Sequence, residues 1–216
     1  MGKLFYIMGK SASGKDSIYQ KLLENKEFHF KRLVIYTTRP VREGERDGQE
    51  YYFVTEEIFQ ELKRAGKIIE DRGYETVCGL WRYFTADNME LDKHHYLGIG
   101  TLESYEQLKT YYGAEKLCPL YIEVEDGERL KRAIAREELQ EKPQYEEMCR
   151  RFLSDAADFS EEHIQRAGIE RRFQNTDLNS CLRNIETYLK YDIMSEQGFK
   201  SSIFHVYMKK WNLGSR

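Results

Sequence analysis

The chain has 216 residues, room for one domain with inserted flaps or for two small domains. Apolar residues make up 40% and prolines number only three, which excludes a disordered or fibrous chain. A net charge of −3 excludes a general binder of nucleic acid or membrane surface, so any anion site must be a local basic cluster.

The expected elements alternate between strand and helix. Leu4 to Met8 is a nearly continuous apolar run ending at Gly9, the pattern of a buried parallel strand, and a helix with Ile18 and Leu22 on one face follows from Gly14. Leu33 to Tyr36 reads as a second strand, Thr37 to Glu50 as a polar loop, and Tyr51 to Val54 as a third strand. Thr55 suits the N-cap of a helix whose face is Ile58, Phe59 and Leu62 and which ends at Gly66. Strand pieces are expected at 67–70, 74–78 and 81–84, and a core strand at Tyr96 to Ile99. Leu102, Tyr105, Leu108 and Tyr112 mark a helix stopping at Gly113, and Leu120 to Val124 another core strand. Residues 126–162 are helical and highly charged, with Leu130 and Ile134 marking one helix and Met148, Phe152 and Phe159 the next. Arg172 to Gln174 is a short strand, and Asp177 caps a helix with the face Leu178, Cys181, Leu182, Ile185 and Leu189. From about Tyr191 the pattern is ambiguous, with Ser202 to Trp211 suiting strand or helix. The alternation argues for an α/β fold on a parallel sheet.

Cys78, Cys118, Cys149 and Cys181 are widely spaced, which argues against a zinc site and for reduced structural thiols in a cytoplasmic protein. The first residues run straight into a motif without a signal peptide, Tyr6 stands where a myristoylation signal needs Ser or Thr, and no apolar run approaches a membrane span.

Gly9-Lys10-Ser11-Ala12-Ser13-Gly14-Lys15 matches GxxxxGK, followed by Asp16 and Ser17 where Ser or Thr usually follows the lysine. Glycines let the backbone wrap an anion with its amides pointing inward, the following helix adds the positive end of its dipole, and Lys15 adds a point charge. Residues 9–17 are therefore the expected ATP-phosphate site. A carboxylate is a hard oxygen ligand, so Asp16 is a candidate for Mg²⁺, with Ser17 as a candidate helper; the plainer role is helix capping.

The segment 37–53, Thr-Thr-Arg-Pro-Val-Arg-Glu-Gly-Glu-Arg-Asp-Gly-Gln-Glu-Tyr-Tyr-Phe, places Arg39 and Arg42 three apart before a glycine turn and Tyr51. Two guanidinium forks and a phenol suit a phosphate clamp, and a solvated charged loop is the ordinary alternative. This segment resembles the guanylate kinase signature T-T-R-x-x-R-x-G-E-x-D-G-x-x-Y-x-F at the family's distance from the phosphate loop. The resemblance covers about residues 4–190 and implies a three-layer P-loop NTPase fold with a parallel central sheet, a nucleotide-monophosphate-binding flap and a helical lid. It implies a single domain over 1–190, with core 1–35, 94–127 and 161–190, acceptor-binding subdomain 36–93 and lid 128–160, leaving 191–216 as an extension.

The implied activity is phosphoryl transfer from ATP to GMP or dGMP with Mg²⁺, and the implied partners are small nucleotides, not nucleic acid or membrane; the oligomeric state is left open. The resemblance puts Arg39, Arg42 and Tyr51 on the GMP phosphate. Ile68-Ile69-Glu70 resembles the family's F-I-E and places Glu70 on the base, where a carboxylate matches the donors of guanine and repels N1 of adenine. Tyr83-Phe84-Thr85 resembles Y-Y-G-[ST], placing Tyr83 on the GMP phosphate and Thr85 on the base. Arg132 and Arg136 share a helix face, and with Arg151 they resemble the family's lid arginines; Arg150 competes with Arg151, and a solvated face paired to glutamates is the alternative. Phe173 to Leu178 resembles V-x-N-x-D-L, which puts Asn175 near the adenine of ATP.

Three positions leave the pattern: Asp16, Ile35 in place of a serine, and 95–101, which lacks the aspartates of D-I-D-x-Q-G. Thr101 or Glu103 could replace those carboxylates, or Asp16 could take over the metal. Two rivals stand beside the main reading: a P-loop kinase with another phosphorylated acceptor, and a non-catalytic binding module of the same fold.

Overall fold

The computed structural model describes residues 2–76 and 79–196, so Cys78 and the ambiguous stretch at 202–211 lie outside the described residues. The central sheet has five parallel strands: β1 (Leu4–Met8), β2 (Lys31–Arg32), β7 (Tyr96–Ile99), β8 (Leu117–Glu123) and β9 (Arg172–Gln174), in the spatial order β2-β7-β1-β8-β9. β1 is central and all five of its residues are buried. Its side chains alternate between two cores, as the period of a strand requires. Leu4, Tyr6 and Met8 pack on one face with Tyr105 and Leu108 of α3 (Leu102–Tyr112). Phe5 and Ile7 pack on the other with Ile18 and Leu22 of α1 (Lys15–Glu24) and Cys181, Ile185 and Leu189 of α7 (Leu178–Glu196). This is the expected three-layer α/β arrangement.

A second sheet of four strands carries β3 (Tyr36–Thr37), β4 (Tyr52–Phe53), β5 (Ile68–Thr76) and β6 (Gly79–Ala86), in the order β4-β3-β6-β5. The strand expected over 33–36 is instead a crossing between the sheets. Leu33 still donates to Leu97 O of the central sheet (2.9 Å), while Tyr36 pairs with Tyr52 and Phe84 of the second. The pieces expected at 67–70 and 81–84, and the described part of that at 74–78, fall on the antiparallel β5–β6 pair. Helix α2 (Glu56–Arg64) begins with the Thr55 cap as expected, but of its anticipated face Phe59 is buried and Ile58 is exposed.

Helices α4 (Asp126–Glu138), α5 (Tyr145–Asp158) and α6 (Glu161–Arg166) fill the charged stretch. The inner face of α4 is not Leu130 and Ile134 but Arg129, Ala133 and Glu137, two of them charged. Both charges have partners on or beside α5. Arg129 reaches Asp155, and Glu137 accepts from the Gln144 amide (3.1 Å) and lies 3.5 Å from Arg151. Apolar periodicity misreads such an interface because its buried residues are paired charges. Cys118 and Cys181 are buried free thiols, whereas Cys149 is exposed.

Candidate active site

The phosphate loop joins β1 to α1 and is shaped by contacts that leave no room for a side chain. A Cβ on Gly9 would come within 2.5 Å of the Ile122 carbonyl oxygen. Gly14 has φ +82°, and a Cβ there would meet Asn175 Nδ2 at 2.4 Å. Asn175, expected near adenine, is buried under the loop, and its amide donates to the Ser13 carbonyl (2.7 Å). Ser13 is fully buried, and Arg132 caps the arrangement by donating to Asn175 O (3.0 Å). Ala12 takes positive φ, 61°. The loop is thus held from below by β8, β9 and the lid helix.

Lys15 opens α1 and its ammonium lies 3.8 Å from the carboxylate of Asp16. Asp16 is 82% exposed at the loop, free to meet a cation from solvent. Among the described residues no group of three acidic, His or Cys side chains forms a metal cage. One exposed carboxylate beside a phosphate-binding turn fits Mg²⁺, which takes one or two protein carboxylates and draws its other ligands from nucleotide phosphates and water. Ser17 is exposed on the same turn, and Lys10 donates to Asp126 of α4 (3.3 Å).

Residue patterning did not reveal how the lid is tied to the loop. The Ser11 amide donates to Asp155 Oδ2 of α5 (2.7 Å), and Arg129 donates to the Ser11 carbonyl (2.9 Å). Arg129 is 1% exposed, is bonded to Asp126 (2.8 Å) and stacks over Phe152 (4.5 Å). Its bond holds the Asp126 carboxyl below the usual range. The available signal was Arg129 at i−3 from Arg132, hidden in a run of charge. Of the expected lid arginines, Arg132 touches the loop's support, Arg136 is exposed, and Arg151 is drawn toward buried Glu137. Arg150 points outward, paired with Glu147 (2.7 Å).

Beside the second sheet lies a cavity of about 440 Å³ whose wall includes Tyr51, Tyr83, Trp81, Arg72, Ile35 and Gly100. It opens where β7 ends, and β7 lies beside β1, the strand that feeds the phosphate loop. Arg39 is 4% exposed, stacks over Tyr51 (5.0 Å) and Phe53 (5.4 Å), and forks onto Glu45 (2.8 Å through Nη1). The Glu45 bond raises the Arg39 guanidinium, and the same bond lowers the Glu45 carboxyl to about 2. Tyr83 packs edge-on against Tyr51 (5.6 Å), while Arg42 is exposed with its amide on Glu45 (2.8 Å). The two expected arginines are therefore unequal: Arg39 is locked in an aromatic cage, and Arg42 is free to swing.

Glu70 and Thr85 meet across the β5–β6 hairpin. Thr85 Oγ1 donates to Glu70 Oε1 (2.7 Å), and Arg72 Nε donates to Glu70 Oε2 (3.1 Å). The Glu70 side chain is fully enclosed while that of Arg72 keeps 16% exposure. Two glycines at the end of β7 leave their space to Tyr6. A Cβ on Gly100 would lie 2.0 Å from the Tyr6 hydroxyl, and one on Gly98 would lie 2.7 Å from the Tyr6 ring. Tyr6 occupies that space and bonds Ser104 (2.8 Å); burial pushes its phenol up to about 12. Thr101 does not replace the lost carboxylates, because its hydroxyl caps α3 at the Ser104 amide (3.2 Å), and Glu103 points to solvent.

A GxxxxGK turn between a central parallel strand and a helix, under a helical lid and beside a second small sheet, defines a P-loop protein of the nucleotide-kinase type. The guanylate kinase family model matches residues 1–191, and the chain belongs to that family. A guanylate kinase of Wolbachia pipientis wMel is 40% identical over 89 residues, 41% of this chain and 44% of that protein. One from Photorhabdus laumondii subsp. laumondii is 25% identical over 202 residues, 88% of this chain and 87% of the relative. The stronger identities are thus confined to less than half of the relatives that carry them; a relative from Lactobacillus acidophilus, 40% identical, is matched over 36% of its length. The crystal structure of guanylate kinase from Anaplasma phagocytophilum shares the fold, with TM-score 0.59 at 24% identity over 88% of this chain and 86% of its own. Among the described residues no helix is long and apolar enough to cross a membrane.

Proposed function

We propose that this protein transfers the γ-phosphoryl group of ATP to GMP or dGMP, giving ADP and GDP or dGDP. The observation that carries the reading is the aromatic-caged Arg39 and the Glu70–Thr85–Arg72 cluster in and behind the wall of one cavity, at the end of the strand next to the phosphate loop. The cage end suits a phosphate: Tyr51, Tyr83 and a swung-in Arg42 complete the grip around Arg39. The cluster end suits a base, because a wrong base would leave buried donors or acceptors unpaired.

In this reading an oxygen of the GMP phosphate attacks the γ-phosphorus in line, the bond to the β–γ bridging oxygen breaks, and ADP leaves. Phosphoryl transfer asks for positioning and charge stabilisation more than covalent help. Loop residues Gly9, Lys10, Ser11, Ala12, Ser13 and Gly14 hold the donor phosphates through amides, and Lys15 neutralises charge on the moving group. Asp16, with Ser17 beside it, would hold Mg²⁺, which neutralises the β and γ oxygens when bound. Arg132 already lies at the loop's edge, and lid closure brings Arg136 and Arg151 toward the phosphates. Closure of the lid (128–160) over the core and of the acceptor subdomain (36–93) excludes water from the gap. We place the reaction in the cytoplasm, a compartment that suits the free thiols Cys118 and Cys181.

The test is an ADP-release assay with Mg²⁺-ATP and GMP, dGMP, AMP, CMP or UMP as acceptor. GMP or dGMP should give the highest kcat/KM. Preference for another acceptor would make this a P-loop kinase of different specificity, and binding of both nucleotides without turnover would make it a binding module.

A further inference from the structure

We propose that Asp155 and Arg129 are positioning residues of the donor site: from the lid they grip Ser11 on the outside of the phosphate loop and keep Ala12 in its left-handed conformation. The inference rests on the ATP reading above and carries it to two residues that belong neither to the loop motif nor to the lid arginines.

Three observations lead there. First, Ala12 has φ +61°. A residue with a Cβ stays in that region only where its surroundings impose it. Second, the peptide units on both sides of Ala12 are held. The one before it carries the Ser11 carbonyl, which accepts from Arg129 Nη1 (2.9 Å), and the Ser11 N–H donates to Asp155 Oδ2 (2.7 Å). Both backbone groups of Ser11 are thus taken by the lid. The unit after Ala12 carries the Ser13 N–H, which donates to Lys10 O (3.2 Å), and Ser13 itself is fully buried.

Third, the grip lies outside the anion cradle. Asp155 pairs with Arg129 (3.4 Å), which is 1% exposed and also donates through Nε (3.0 Å) and Nη2 (2.8 Å) to Asp126. Asp126 in turn takes Lys10 (3.3 Å). Lys15 pairs with Asp16 (3.8 Å) and, among the described residues, not with Asp155. The Asp155 carboxylate therefore supports the loop from its outer side and does not take the place of a phosphate.

The consequence is for donor binding. A phosphate loop works through amides already aimed at the anion, and preset donors need no reordering when the ligand arrives. If Ala12 turns out of the left-handed region, the peptide units on either side swing with it and the Ala12 and Ser13 amides lose their aim. The lid thereby sets the affinity of the loop before any of its arginines meets a phosphate.

The test measures dissociation constants for ADP and for GMP by calorimetry, with thermal melting alongside. The proteins are the wild-type chain, Asp155→Ala, Ala12→Gly and the two changes combined. Asp155→Ala should weaken ADP roughly 10-fold, the scale of one hydrogen bond to a charged group, and leave GMP close to wild type. Glycine takes positive φ at no steric cost, so in the Ala12→Gly background the same change should weaken ADP much less. Asp155→Asn keeps the volume and an acceptor for the Ser11 amide; it should give a milder, ADP-only weakening and replaces Asp155→Ala if that variant does not fold.

The proposal is overturned if the Asp155 variant binds ADP as tightly as the wild-type chain. It is overturned equally if ADP and GMP weaken alike, as general loosening would have it, or if the ADP loss is undiminished in the Ala12→Gly background. A wild-type chain that binds neither ATP nor ADP overturns the donor reading itself and this assignment with it, a result distinct from ADP binding that ignores Asp155. A wild-type chain that binds ADP and no GMP overturns the acceptor reading alone, and the Ala12→Gly cycle then decides the grip without it.

Discussion

The phosphate loop and the acceptor pocket are built from different materials. The loop is backbone: two glycines in contact with Ile122 and Asn175, and a helix start that carries Lys15. The pocket is side chains in pairs: Arg39 with Glu45, Glu70 with Thr85 and Arg72, Tyr51 with Tyr83. A backbone site keeps its shape under most substitutions and shows as a motif. A paired site can trade partners, and the wall of this one carries Gly100 and Arg72 among its aromatic side chains.

The sharpest way to break this contrast is to attack a place where the loop does depend on a buried charged network. Arg129 is 1% exposed and joins Ser11 O to Asp126 and Asp155. Its removal leaves the Asp155 carboxylate, 15% exposed, against the loop without its cation. Arg129→Ala should cost about 3–5 kcal/mol of stability, the range for breaking a buried pair. Arg150, paired at the surface with Glu147, is the control, and Arg150→Ala should leave stability close to that of the wild-type chain. Chemical denaturation of both variants measures the difference, and equal effects would mean that the Arg129 network is not holding loop and lid together.

Lys15→Ala tests the loop's single chemical side chain. It should lower kcat/KM for ATP by roughly 10²–10³-fold, the scale for losing one preorganised charge-stabilising donor, with little change in melting temperature. A variant that is still active at near wild-type rate would move the donor site elsewhere.

Most of the central architecture was legible in the sequence, and the reasons are local. β1 and β7 read as apolar runs, and α3 was marked by Leu102, Tyr105, Leu108 and Tyr112 with its stop at Gly113. The loop was visible because glycine is the residue that its geometry requires at positions 9 and 14. What could not be read was non-local and polar. Residues 33–36 are apolar enough for a strand, yet they cross from one sheet to the other. The α4–α5 contact is made by Arg129 and Glu137, which any hydrophobic pattern counts as surface. Arg72 stands two residues after Glu70 in a strand, and only the hairpin register shows the two converging with Thr85.

The space beside Gly98 and Gly100 shows how tightly a side chain and the backbone share this region, and it belongs to Tyr6. Even Gly100→Ala puts a Cβ 2.0 Å from the Tyr6 hydroxyl, and overpacking of this kind should cost about 1–3 kcal/mol. Tyr6→Phe removes that oxygen and leaves the ring carbon at 2.9 Å, so the double variant should lose less than the sum of the two singles. Strict additivity in denaturation would mean that Tyr6 and Gly100 do not share the space.

The smallest expected effect concerns the Arg39–Glu45 pair and is confined to acid. Arg39 holds the Glu45 carboxyl at about 2, below its ordinary 4.5. A carboxylate lowered by folding contributes stability that is complete above its unfolded value and fades as pH falls through the folded one. The contribution should therefore be constant above about pH 4.5 and lost on the way to about pH 2. Thermal melts of the wild-type chain and Glu45→Gln across pH 2–6 should differ by a fixed gap at the upper end that narrows below about 4.5. A gap of constant size down to the acid limit would mean that Glu45 supports the acceptor loop through shape or neutral hydrogen bonds, and that the cage around Arg39 stands without its carboxylate charge.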